Sequence, residues 1–140
     1  MDLNNDFMTY WLKMDDIQSI VKKELEGVLQ YEYHLSLKEF YVLYYLSIAP
    51  DKKLRLQELQ KLILLSQSAL SRIVTNMESS KCGALEKCIC DDDRRGTYTR
   101  ITDIGEQKLT GSLNIFREIL AKHFGSVDVE VLMKNFVQSI

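Results

Sequence analysis

The feature that most constrains this chain is the run from Ser66 to Gly105. It opens Ser66-Gln67-Ser68-Ala69-Leu70-Ser71-Arg72-Ile73-Val74-Thr75-Asn76-Met77, with apolar side chains at 69, 70, 73, 74 and 77. That spacing marks one face of an α-helix. Ser66 is placed to cap it, its hydroxyl accepting from a backbone N–H of the first turn. The opposite face carries Ser68, Ser71, Arg72 and Thr75, with Gln67 near the start and Asn76 at the flank. Most surface helices expose a mixture of Lys and Glu. Short donors and acceptors with one arginine are instead the equipment for reading base edges and gripping phosphates. For the helix taken alone, a solvated polar face is the plainer reading.

The flanks favour the first reading. Upstream, Leu56, Leu59, Leu62 and Ile63 form a second short apolar stripe, followed by the turn Leu64-Leu65. Two short amphipathic helices joined by a tight turn predict a helix-turn-helix. Downstream, Lys81-Cys82-Gly83 is expected to end the second helix, with Gly83 in the left-handed position after it. Two β-prone runs, Ala84–Cys90 and Thr97–Thr102, then flank the tip Asp91-Asp92-Asp93-Arg94-Arg95-Gly96. A hairpin in that place is a wing, and Arg94, Arg95 and Gly96 at its tip suit contact with phosphate or the minor groove.

The series Leu-Ser-Gln-Ser-Ala-Leu-Ser-Arg-Ile-Val (65–74), the Asp93-Arg94-Arg95-Gly96 tip and Ile101-Thr102-Asp103-Ile104-Gly105 resemble the MarR family of bacterial transcription regulators. Asp93 and Arg95 match the Asp-x-Arg core of the family's wing, and Thr102 and Gly105 match its Thr-x-x-Gly pattern. The resemblance spans roughly residues 36–125. Cys90 departs from it, standing where many members carry an acidic residue.

The resemblance implies a mainly α (α+β) fold, a winged helix-turn-helix at about 36–105 with dimerisation helices at about 1–34 and 106–140. It implies a cytoplasmic homodimer that binds double-stranded, pseudo-palindromic operator DNA, acting as a repressor relieved by a small-molecule effector. Ser66, Gln67, Ser68, Ser71, Arg72, Thr75 and Asn76 are then the major-groove set, and Arg94, Arg95 and Gly96 the wing contacts. Asp93 is a structural wing residue that orients Arg95 or Arg72. Tyr41, Tyr44 and Tyr45 are candidates to line an effector crevice, although tyrosines more often pack a core edge.

Length and charge agree with this. At 140 residues with 46% apolar side chains and one proline, the chain fits one helix-rich domain with a full hydrophobic core. No run of eighteen apolar residues predicts a membrane span. The polar, acidic start Met-Asp-Leu-Asn-Asn-Asp predicts no secretory leader, and three cysteines without framework spacing suit a reducing compartment. The net charge is −2, yet residues 51–100 hold ten Lys/Arg against seven Asp/Glu, a net of +3. The basic excess lies where nucleic acid would be met, and its small size predicts salt-sensitive binding.

The remaining helices supply apolar surface. Residues 7–31 form a long stripe through Phe7, Tyr10, Met14, Ile17, Val21 and Val28, widened by Trp11, Ile20, Leu25 and Leu29 and interrupted by Glu24. So much aromatic surface on one helix predicts a partner subunit, with packing inside one chain as the alternative. Residues 31–34 are expected to form a linker. A capping box (Ser36, Glu39) then opens a helix that buries Phe40, Leu43, Tyr44 and Ser47 or Ile48, stopped by Pro50. Lys52-Lys53-Leu54 predicts a short strand joining the wing. Thr102 is placed to cap a helix reaching Phe124, with Gly105 at a close approach and Gly125 at its end. Val127–Ser139 predicts a last amphipathic helix.

No catalytic constellation, cofactor loop or metal motif stands out. His34 and His123 are isolated, and Asp91–Asp93 beside two arginines reads as a solvated charge cluster. Cys82, Cys88 and Cys90 lack zinc spacing, and Cys88 and Cys90 share a strand face, which disfavours a bond between them. They leave a thiol-based redox sensor as one alternative function. A protein-interaction winged helix without DNA binding is another.

Overall fold

A computed structural model describes residues 3–89, 97–125 and 128–139. The order is α1 (Leu3–Tyr33), α2 (Leu37–Ile48), a short 3-10 turn (Pro50–Lys52), β1 (Lys53–Arg55), α3 (Leu56–Leu62) and α4 (Gln67–Glu78). Then follow β2 (Leu85–Ile89), β3 (Thr97–Ile101), α5 (Asp103–Phe124) and α6 (Val129–Gln138). The three strands form one antiparallel sheet in the order β1-β3-β2. This is the mainly α, winged helix-turn-helix architecture expected from the sequence.

The core gathers around α2. Its start is fixed by the expected capping box: Glu39 N–H donates to Ser36 Oγ (3.1 Å), and Ser36 N–H donates to Glu39 Oε1 (2.8 Å). Leu37, Phe40, Val42, Leu43 and Leu46 are buried, whereas Tyr44 and Ile48 are exposed and Ser47 is half-buried. The buried arc is therefore turned from the expected one. α2 is covered from two sides, by α1 and α5 and by the sheet, so Val42 and Leu46 meet a second layer.

The expected linker at 31–34 is also corrected. α1 continues through Tyr33, and the connection is only His34–Ser36, with His34 in a left-handed conformation (φ 54°). The helix is extended by packing. A Cβ on Gly111 of α5 would lie 1.8 Å from the Tyr33 hydroxyl, so that ring rests on bare backbone.

α4, β2 and α5 meet at one junction. Ala84 N–H donates to Met77 O (3.0 Å), Thr102 N–H to Ala84 O (3.0 Å), and Thr102 Oγ1–H to Gly83 O (2.6 Å). Thr102 Oγ1 also accepts from Gly105 N–H (3.1 Å), capping α5 as expected. Gly105 is buried against this junction: a Cβ there would meet Ala84 O at 2.3 Å and Ile101 Cγ1 at 2.7 Å. α4 itself stops at Glu78, with Ser79 extended, earlier than the sequence suggested. Gly83 does adopt positive φ (63°), but in the turn into β2 and not directly after the helix.

α1 and α5 run antiparallel, with Tyr33 beside Gly111 and Glu24 beside Lys122 and His123. Lys122 Nζ donates to Glu24 Oε1 (2.7 Å), and His123 Nε2 lies 2.6 Å from Oε2. That explains the one polar residue in the α1 stripe. The Lys122 hydrogen bond, then the His123 one, holds the Glu24 carboxyl below its ordinary range. Beyond this clamp the N-terminal half of α1 leaves its large apolar side chains largely exposed. Phe7, Met8, Tyr10, Trp11, Leu12, Met14, Ile17 and Ile20 are 37–66% exposed. α6 is anchored by buried Val129 and by Arg117–Glu130 (3.3 Å), while Val131, Leu132, Met133, Phe136 and Val137 are 45–64% exposed.

Two outcomes follow for stability. Alanine favours a helix over glycine by up to about 1 kcal/mol. Gly27→Ala, with nothing within 4 Å of its Cβ, should therefore stabilise the protein. Gly105→Ala should cost about 1–3 kcal/mol, because the Ala84 carbonyl must move. Urea unfolding midpoints of the two variants, moving in opposite directions, are the check. The second outcome concerns acid. A carboxyl whose pKa is lowered on folding adds stability above its unfolded value and loses it as pH falls through the folded one. Glu24→Gln should melt below wild type at pH 7, and the gap should close as pH falls below about 4. A gap that persists unchanged at pH 3 would show that the clamp does not act through charge.

Candidate nucleic-acid interface

The helix-turn-helix is held from inside by Leu59, Ile63, Leu70, Val74 and Met77, all buried. Leu62, expected on the inner stripe, points outward. α3 has only seven residues, and burying Leu59 and Ile63 turns Leu62 away from the core. Ser66 Oγ accepts from Ala69 N–H (3.2 Å), the expected N-cap, and lies 3.3 Å from Ser68 Oγ. Gln60 Nε2 donates to Leu65 O (3.4 Å), tying α3 to the start of α4.

With the apolar stripe of α4 turned inward, Gln67, Ser68, Ser71, Arg72, Thr75 and Asn76 are all exposed together with Ser66. These seven residues bring one cation, no carboxylate, and hydroxyl and amide groups that can donate or accept. The structure thus brings the α4 part of the expected site together on one surface. The other part, Asp93, Arg94, Arg95 and Gly96, lies outside the described residues, as does Cys90.

The sheet adds residues that the sequence reading did not select. Its inner face buries Leu85, Thr99 and Ile101. The register places Lys53 across from Arg100 and Arg55 across from Tyr98, on the outer face. Lys53 Nζ and Arg55 Cζ each lie 5.1 Å from the Tyr98 ring centroid, and Glu86 and Cys88 complete that face from β2. The signal was present in the sequence: positions 53, 55, 98 and 100 alternate along two strands. It needed the register to be seen as one patch.

Cys82 and Cys88 are free thiols, each beside a cation. Arg100 Nη2 donates to Cys88 Sγ (3.0 Å), and Lys108 Nζ lies 3.7 Å from Cys82 Sγ. Among the described residues no group of His, Cys, Asp and Glu could hold a metal ion, and no helix is long and apolar enough to cross a membrane. Of the three tyrosines on α2, Tyr41 is half-buried and burial raises its pKa. Tyr44 and Tyr45 pack edge to face at 5.7 Å.

A helix-turn-helix with an outward polar helix, followed by a sheet hairpin, defines a winged-helix protein. More narrowly, its fold is that of the MarR family transcriptional regulators. Sco3205, a MarR family transcriptional regulator from Streptomyces coelicolor in complex with DNA, superposes with a TM-score of 0.77 at 22% identity, over 99% of this chain and 85% of that one. A mutant MarR from E. coli complexed with operator DNA gives 0.72 at 17%, over 99% and 97%. The organohalide-sensing regulator RdhR in a 2,4-dichlorophenol-bound form gives 0.71 at 17%, over 99% and 79%. No protein-family model matches the sequence, and no curated protein matches it.

Proposed function

We propose that this protein is a MarR-type transcription regulator that binds duplex DNA as a homodimer through α4 and the wing. The observation that carries the reading is the outer face of α4. Seven exposed polar residues with a single positive charge sit on a helix whose other face is locked into the core. The MarR-like fold supports it, since two proteins of that fold are known bound to DNA. In this reading Ser68, Ser71, Arg72 and Thr75 face the major groove, flanked by Ser66, Gln67 and Asn76. Arg94 and Arg95 supply charge at the wing tip, with Gly96 allowing close approach and Asp93 orienting an arginine.

The second copy is argued from area. The exposed apolar rows of α1 and α6 form the kind of surface that subunit interfaces cover. A two-fold dimer then presents two α4 helices to one duplex, which suits a pseudo-palindromic site. The action proposed is repression relieved by a small molecule. Support comes from the Tyr44–Tyr45 ring pair and the half-buried Tyr41 on the same helix, and from the phenol-bound neighbour.

The helix and the wing should fail differently. Arg72→Ala should cost about 1–3 kcal/mol on the preferred duplex and relax selectivity at one position in each half-site. Those positions should lie about 34 Å apart, one helical turn, or a multiple of it. Arg95→Ala should weaken all duplexes alike and reduce the salt slope by about one. Salt titrations on selected and random duplex separate the two; repeating them with a phenol should show loosening of the selected duplex. If Arg72→Ala left selectivity intact while Arg95→Ala abolished it, the wing and not α4 would be the reader. Absence of any salt-dependent duplex binding would favour a protein-interaction module.

The interface has its own check. Sedimentation should give twice the 16.3 kDa chain mass for wild type. The double variant Trp11→Glu/Phe136→Glu should run as a folded monomer, because both side chains are exposed in the single chain. A variant that stays dimeric with unchanged affinity would place the interface elsewhere.

A further inference from the structure

Leu64 is 90% exposed, more than any other large hydrophobic residue among those described. Its position is held by the backbone. Leu65 N–H donates to Ile63 O at 2.7 Å, a three-residue turn with Leu64 at its apex. The turn is braced on both sides: Ile63 is buried in the core, and Leu65 O accepts from Gln60 Nε2. Two residues further on, Ser66 caps α4. The backbone at the apex is thus fixed just before the first turn of the helix that presents Gln67, Ser68 and Ser71. Among the described residues almost nothing covers it, and it lies in the turn of the helix-turn-helix.

We infer that Leu64 is a specificity-determining residue, reading a thymine methyl group at the edge of the major groove. The inference rests on the DNA-binding reading and deepens it. Of the exposed residues from Ser66 to Asn76, all polar, only Thr75 carries a methyl group, two turns further along the helix, and the others address the hydrogen-bonding atoms of base edges. The one apolar mark in the major groove is the C5-methyl of thymine, and an apolar side chain recognises it. A braced turn suits that task, since the Leu64 backbone is already placed when the duplex arrives.

The experiment uses the full-length protein and a Leu64→Ser variant, which should fold normally because the side chain contributes no buried area. Each is used to select duplexes from a random pool, and the preferred duplex is then remade with deoxyuridine in place of each thymine in turn. Wild type should select thymine at one position per half-site and bind about fourfold more weakly when that methyl is removed, the equivalent of one buried methyl group. Leu64→Ser should still bind duplex, lose the preference at that position, and show no effect of the methyl there. Equal selection by both proteins, or equal loss on methyl removal, would overturn the assignment while leaving DNA binding standing. Failure of wild type to select any duplex would instead overturn the DNA-binding reading, and this assignment with it.

Discussion

The contact on which the rest of the structure depends is the approach of the Gly105 backbone to the Ala84 carbonyl. It has no room for a methyl group, and Thr102 closes it by capping α5 while donating to Gly83 O. Through Ala84 N–H the same point holds the carbonyl of Met77 in α4. One turn of helix thereby fixes three things: the start of α5, the root of the wing, and the end of the outward polar helix. Errors there are transmitted because the core is close-packed and cannot absorb a shift of half an ångström.

From that junction the polar face of α4 follows as a consequence. Leu70, Val74 and Met77 are pulled inward, so the residues between them are turned out. None of the outward residues is needed for folding, apart from the Ser66 cap. In the proposed DNA-binding reading, stability and selectivity are therefore separated along one twelve-residue helix. Substitutions on the outer face can change which duplex is preferred at little structural cost, whereas substitutions on the inner face act through the fold.

Much of this was legible in the sequence because it is local. The α2 capping box, the N-caps and the α4 stripe are decided by neighbours within a turn or two of helix, and the structure has them at the expected positions; the close approach at Gly105 was marked by the glycine itself, while its partner, the Ala84 carbonyl, is set by the fold. The misjudged features were set by tertiary neighbours. The buried arc of α2 turned towards Val42 and Leu46 because two layers cover that helix, and α1 ran on to Tyr33 because its ring finds the bare backbone of Gly111. Glu24 looked like a flaw in an apolar stripe until Lys122 and His123, a hundred residues away in sequence, were seen to face it. The outer sheet patch of Lys53, Arg55, Tyr98 and Arg100 needed a strand register that no local pattern supplies. The α4 residues of the candidate site could be chosen from their types and their place opposite the apolar stripe, and the structure has them exposed together.

In the proposed regulator the same geometry offers a route between the α5 clamp and the recognition helix. α5 is a single 22-residue helix, about 33 Å long, starting at the Thr102–Gly105 junction and ending at the Lys122–His123 clamp on α1. In the proposed dimer, the apolar rows of α1 and α6 set the relation between subunits, and α5 carries it to α4 without an intervening loop. A helix of that length turns a small tilt at the clamp into a displacement of ångströms at the junction. Since two α4 helices must match the turn of one duplex, the spacing between them is the quantity a regulator of this build has to control. A small molecule beside α2, which packs between α1, α5 and the sheet, would act on that spacing by changing the packing angle of the lever. It need not touch a residue that meets DNA. The recognition surface can then remain constant while its availability is regulated from the other end of the helix.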